Sequence, residues 1–124
     1  MSNEVSNLDV LRMKRMRVVD AKTRSLIEGG FVFKSQRLSS SPTAQANWLG
    51  AYVSRADLTY PLTVASFDDT AFVTIDDAAA VAAAYTALRQ HVTNLVVAGA
   101  VIKKAIKDAS TEEAVAAVED NRSL

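Results

Sequence analysis

From Val81 to Ile106 apolar residues recur at alternating steps of four and three: Val81, Tyr85, Leu88, Val92, Leu95, Ile102 and Ile106, with Gly99 in the one remaining place. That spacing keeps one face of a helix apolar over more than three heptads. It predicts a long helix from about 78 to 108. Asp76 or Asp77 is placed to cap its orphan N–H groups, and Lys103, Lys104 and Lys107 suit the negative end of its dipole. A second helical pattern runs over 4–28, through Leu8, Leu11, Val18, Val19, Leu26 and Ile27, with Arg15 interrupting the stripe. Asn3 or Ser6 can cap it. Gly29-Gly30 ends it, because glycine takes the left-handed conformation that follows a helix.

Between the two helices the period changes. Phe31, Val32 and Phe33 begin a short strand over 31–34, and Leu38 belongs to a second extended piece. Ser39-Ser40-Ser41-Pro42 reads as a loop. A helix over roughly 43–55 carries Ala46, Leu49, Ala51, Tyr52 and Val53, with Trp48 its bulkiest member. Asp57 to Pro61 is a break. Residues 62–66 and 71–75 alternate as strands, and the short turn at 68–70 makes them an antiparallel pair, which the 31–34 strand is expected to join. Ser110 and Glu113 form a capping-box signature for a last helix over 111–119, and 120–124 reads as a frayed polar tail. The fold class is therefore α+β: a small antiparallel sheet packed by long helices. The expected division is a basic amphipathic helix at 1–28 acting as a docking arm, a compact domain at 29–119, and the tail.

Composition narrows the chemistry. The 124 residues include no cysteine, which removes disulfides, thiolate metal sites and a cysteine nucleophile. The first 25 residues mix acids, bases and polar groups, so no signal peptide is expected, and Arg89, Gln90, His91 and Asn94 interrupt the apolar run 78–102, so no membrane span is expected either. Net charge is zero, but residues 1–40 hold 8 basic and 4 acidic groups while 41–124 hold 6 and 10. The cluster Arg12, Lys14, Arg15, Arg17, Lys22, Arg24 suits either an acidic partner or a solvated helix face. No aromatic interleaves these bases, which disfavours stacking on single-stranded nucleic acid.

No catalytic constellation emerges. His91, the only histidine, has no second histidine or nearby carboxylate on its helix and reads as a partly exposed residue without a partner. Asp68-Asp69 and Asp76-Asp77 have local explanations as turn and cap residues. The serine run lacks a nucleophile-elbow context, and Gly29-Gly30 lacks phosphate-loop spacing. The expectation is a non-enzyme with no cofactor and no metal.

The order of several short motifs is more specific. Ile27-Glu28-Gly29-Gly30-Phe31 is followed by Gln45-Ala46-Asn47-Trp48-Leu49-Gly50, then by Tyr60-Pro61, the strand pair, Arg89-Gln90-His91-Val92 and Ala109-Ser110-Thr111-Glu112-Glu113-Ala114-Val115. Over about residues 15–119 this order resembles an uncharacterised domain common in tailed-bacteriophage tail-fibre and tail-associated proteins. The resemblance implies a virion protein of the phage tail, made in the host bacterial cytoplasm, and it implies no chemistry. Gly30, Phe31, Gln45, Asn47, Trp48 and Gly50 are its motif residues. Gln45 and Asn47 lie about 200° apart on a helix, so one can clamp backbone in the core while the other meets solvent or a partner.

The expected function is thus a structural or adaptor component working through protein–protein contacts. A small nucleic-acid-binding regulator using the basic helix is the alternative. Interface candidates are Arg12 and Arg15 on the first helix and Val81, Tyr85, Leu88, Val92 and Leu95 on the seam. The partners expected are other virion proteins and further copies of the chain, a trimer before a dimer. The seam can close within one chain, against 4–28, or between chains.

Overall fold

A computed structural model describes residues 6–124. Its elements in chain order are α1 (Asn7–Glu28), β1 (Phe31–Phe33), β2 (Gln36–Leu38), α2 (Pro42–Val53), β3 (Leu62–Ala65), β4 (Phe72–Ile75), α3 (Ala78–Asp108) and α4 (Glu112–Ala117). The α+β class and the two long helices are as the periodicity implies. Ser6 caps α1 by accepting the Asp9 N–H at 3.1 Å. Asn3, Glu4 and Val5 lie outside the described residues. Asp77 caps α3, accepting the Ala80 N–H at 2.8 Å.

Two compact units divide the chain: the described residues up to Leu26 together with Leu95–Leu124, and Ile27–Asn94. The basic helix expected to stand apart as an arm therefore gives most of its length to a folded unit. In that first unit Val19, Ile106 and Val115 form the buried centre, packed by Leu8, Leu11, Met16, Ile102, Ala109 and Val118. In the second unit Phe31, Leu38, Trp48, Val73, Ile75, Val81, Ala84 and Leu88 form the core. The rings of Phe31 and Trp48 meet edge-to-face at 6.2 Å, a favoured aromatic geometry.

The strands correct one expectation. β1 does not join the later pair. It turns back on β2, pairing Phe31 with Leu38 and Phe33 with Gln36, while β3 and β4 form a separate two-stranded sheet, Leu62 opposite Ile75. Lys34 and Ser35 both have positive φ, 50° and 62°, which is what a two-residue hairpin turn matched to strand twist demands. Neither residue is glycine, so no turn signal is legible there. The Phe67 N–H donates to the Arg37 carbonyl at 2.7 Å, and Lys34 Nζ donates to the Thr74 carbonyl at 2.7 Å.

Two further expectations change near the C-terminus. Thr111, not Ser110, caps α4, its hydroxyl accepting the Ala114 N–H at 3.0 Å, so the helix starts one residue later than the capping box implied. The segment 120–124 is not frayed throughout. Arg122 donates to Thr23 Oγ1 at 2.7 Å, to the Leu95 carbonyl at 3.0 Å and to the Val19 carbonyl at 3.2 Å. These are backbone and hydroxyl acceptors that α1 and α3 offer to a planar five-donor group.

Candidate functional site

The motif residues build a lock at the end of α1. A helix leaves its last carbonyls without partners. Here the Ile27 carbonyl accepts from the Ser40 hydroxyl and from His91 Nε2 at 3.1 Å. A carbonyl can only accept, so the imidazole proton sits on Nε2. Ser40, fully buried, also accepts the Gly30 N–H at 2.8 Å, and Gln45 Nε2 donates to the Ser40 carbonyl at 2.9 Å. Ser41 caps α2 through the Ala44 N–H. Gly30 has φ +100°, and a Cβ there would meet Arg37 Cγ at 2.6 Å. Gly30, Phe31, Gln45 and Trp48 are thus brought together. His91, expected to lack a partner, has one because Ile27 ends a helix whose carbonyl needs a donor.

Asn47 and Gly50 take no part in this lock. Asn47 is exposed and lines an apolar recess of about 270 Å³ with Leu38, Trp48, Ala51, Leu62 and Val64. A Cβ on Gly50 would meet nothing. The lock consumes its own polar groups, which marks it as structural.

The interface candidates are placed differently from each other. Val81 and Leu88 are core residues, 0% and 1% exposed, and Tyr85, Val92 and Leu95 are half-buried. The seam therefore serves as core and is not an open surface, because the hairpins and α2 cover its upper half and α1 and α4 its lower half within their own units. Arg12 donates to the Ala109 carbonyl and Arg15 to the Val118 carbonyl at 2.6 Å. Lys22 donates to the Asp120 carbonyl at 2.6 Å. Three members of the basic cluster thus satisfy backbone acceptors from 109–120. Lys14, Arg17 and Arg24 remain exposed.

Three acids have carboxyl pKa values below the usual range. Asp108 is lowered by its hydrogen bond from Lys104 and by attraction to that charge. Asp120 is lowered to about 2, chiefly by its hydrogen bonds from Arg122, whose Nε and Nη2 reach its two oxygens at 2.8 and 2.7 Å. Asp68, at the β3–β4 turn, is lowered by hydrogen bonds from the Thr70 hydroxyl, the Ser66 hydroxyl and the Thr70 N–H. All three shifts arise chiefly from local structural bonds. Among the described residues no three histidine, aspartate or glutamate side chains gather where a metal would be held.

A second cluster escaped the sequence reading. Tyr52 on α2 and Tyr85 on α3 stack at 4.8 Å with their planes 25° apart. The Arg55 guanidinium lies over the Tyr52 ring at 4.2 Å, held by a 2.7 Å bond to the Tyr52 carbonyl. Beside the pair is a groove of about 310 Å³ lined by Tyr52, Tyr85, Thr86, Arg89, Gln90, Thr93 and Asn94. A smaller depression of about 170 Å³, lined by Gln45, Ala46, Leu49 and Leu88, shares Tyr85 and Arg89 with it. The available signal was a tyrosine followed about one turn later by an arginine, Tyr52 by Arg55 just past the end of α2 and Tyr85 by Arg89 within α3.

A family model described as a domain of unknown function, DUF4376, matches residues 11–120. No curated protein and no solved structure shows a significant match to the chain.

Proposed function

The chain belongs to the DUF4376 domain family, and we propose that this member is a structural or adaptor component of a tailed-phage virion, in the tail or tail-fibre assembly. It acts through protein–protein contacts and not through catalysis. The virion setting is supported by the motif order from Ile27 to Val115. The contact role is carried by one observation, the outer face of α3. Val97, Ala100 and Val101 share a face at helical spacing, Val96 flanks them, and Val96, Val97 and Val101 are 50%, 56% and 65% exposed. A cluster of large aliphatic side chains left in water is a characteristic of surfaces that meet another protein.

The proposed partners are further copies of this chain, three around an axis in preference to two, and other virion proteins. No helix among the described residues is long and apolar enough to cross a membrane. The nucleic-acid alternative loses ground because Arg12, Arg15 and Lys22 are tied to carbonyls of their own chain. Light scattering of the purified protein tests the contact role: the wild type should be oligomeric at micromolar concentration, and Val97→Glu with Val101→Glu should release monomer. A monomeric wild type sinks the self-association. Quantitative mass spectrometry of purified particles tests the setting, with a fixed copy number per particle expected. A gel shift whose affinity falls steeply with salt would instead favour the nucleic-acid reading.

A further inference from the structure

The Tyr52–Tyr85 stack packs on the core of its unit, and the groove beside it has a polar lining that this packing does not require. On α3 the adjacent pairs Tyr85-Thr86, Arg89-Gln90 and Thr93-Asn94 recur every four residues, so their side chains share one side of the helix. Among the described residues, the side chains of Thr86, Arg89, Gln90, Thr93 and Asn94 have no hydrogen-bond or ion-pair partner. No acidic residue lines either depression. The site therefore offers an uncompensated guanidinium, amides and hydroxyls that both donate and accept, and the Tyr85 ring, Tyr52 being covered by Tyr85 and Arg55.

We propose that this groove binds a saccharide that carries a carboxylate. Each part of such a ligand has a counterpart in the groove. A guanidinium pairs with a carboxylate through two parallel N–H bonds, which Arg89 is free to make. Sugar hydroxyls alternate donor and acceptor roles, as do the side chains of Gln90, Asn94, Thr86 and Thr93. The C–H face of a pyranose packs on an aromatic ring, and Tyr85 lines both depressions. The two adjoining depressions give room for more than one sugar unit, so an acidic oligosaccharide suits the site better than a single sugar. This inference is independent of the virion reading, since it rests on the α2–α3 groove and not on the outer face around Val97.

Amide chemical-shift titration of the full chain tests it, with a uronate-containing disaccharide as probe. The methyl ester of the same disaccharide and a nucleoside monophosphate serve as comparisons. Shifts confined to residues 85–94 and 52–55 are expected with the uronate, and affinity about tenfold weaker with the neutral ester, the usual worth of one charge-assisted pair. Arg89→Gln should cost about the same tenfold, while Lys104→Gln, an equal loss of charge elsewhere, should leave binding unchanged. Both variants should keep the wild-type circular dichroism. Absence of shifts at millimolar uronate overturns the proposal. So does equal loss in both variants, which would mean unspecific charge attraction. Preference for the nucleotide would assign the groove to a different ligand.

Discussion

At the scale of single residues, Ser40 and His91 carry more than their sequence context implies. Both donate to the Ile27 carbonyl, and Ser40 also takes the Gly30 N–H. Ser40→Ala leaves a buried N–H and weakens a buried carbonyl, so it should destabilise by about 2 kcal/mol, against about 1 kcal/mol for His91→Ala. Urea titration of each variant checks the order. The double variant should lose less or more than the sum, because the two donors share one acceptor. Strict additivity would mean that one of these bonds is absent in solution. The sequence could not show this arrangement: 13 and 64 residues separate Ile27 from its two donors. What was legible was Gly30, whose φ of +100° and crowding by Arg37 require glycine. Gly50, at the end of the Gln45–Gly50 motif, meets no such constraint.

Elements were read best where a long period repeats and worst where a single turn decides the topology. The α3 helix was legible end to end because its 4-3 alternation runs for many turns and Asp77 caps it. Gly99, the break in that alternation, is where a Cβ would come 2.7 Å from Thr23 Oγ1 and 3.0 Å from Arg122 Nη1. The gap in the seam is therefore a seat for Arg122, which no local pattern announces. The β1–β2 hairpin was missed because Lys34-Ser35 lacks the glycine or asparagine that marks such a turn. At α4 two adjacent residues, Ser110 and Thr111, can each cap, and the structure uses the second. Thr111→Ala should therefore cost about 1 kcal/mol and Ser110→Ala close to nothing. Thermal melts of the two variants decide between the starts, and the reverse order would restore the Ser110 capping box.

Over the whole molecule the charge asymmetry of the sequence, positive in the first 40 residues and negative after, is closed in part within the first unit. Lys22 meets Asp120 there at 3.6 Å, and Lys34 meets Asp76 at 3.5 Å in the second unit. A charge count shows such an imbalance but not where its partners fold, which is why the basic cluster read as an outward-facing arm. Asp120 is the member whose protonation can be followed. Its side chain is 15% exposed and holds Arg122 by two bonds, and Arg122 in turn binds α1 and α3. With a folded-state pKa of about 2, against about 3.9 in an unfolded chain, the carboxylate is stabilised by folding. A depressed pKa of this kind contributes stability that is complete above about pH 4 and declines as pH falls toward about 2. Asp120→Asn should accordingly be less stable than the wild type at neutral pH by about 1 kcal/mol, after allowance for solvent screening of a group near the surface. The gap should narrow between about pH 4 and pH 2 and close below that. Denaturant titrations of both proteins across this range supply the test. A gap that stays constant down to pH 2 would show that Asp120 acts by shape and packing, and that its charge does not hold the C-terminal segment on the two helices.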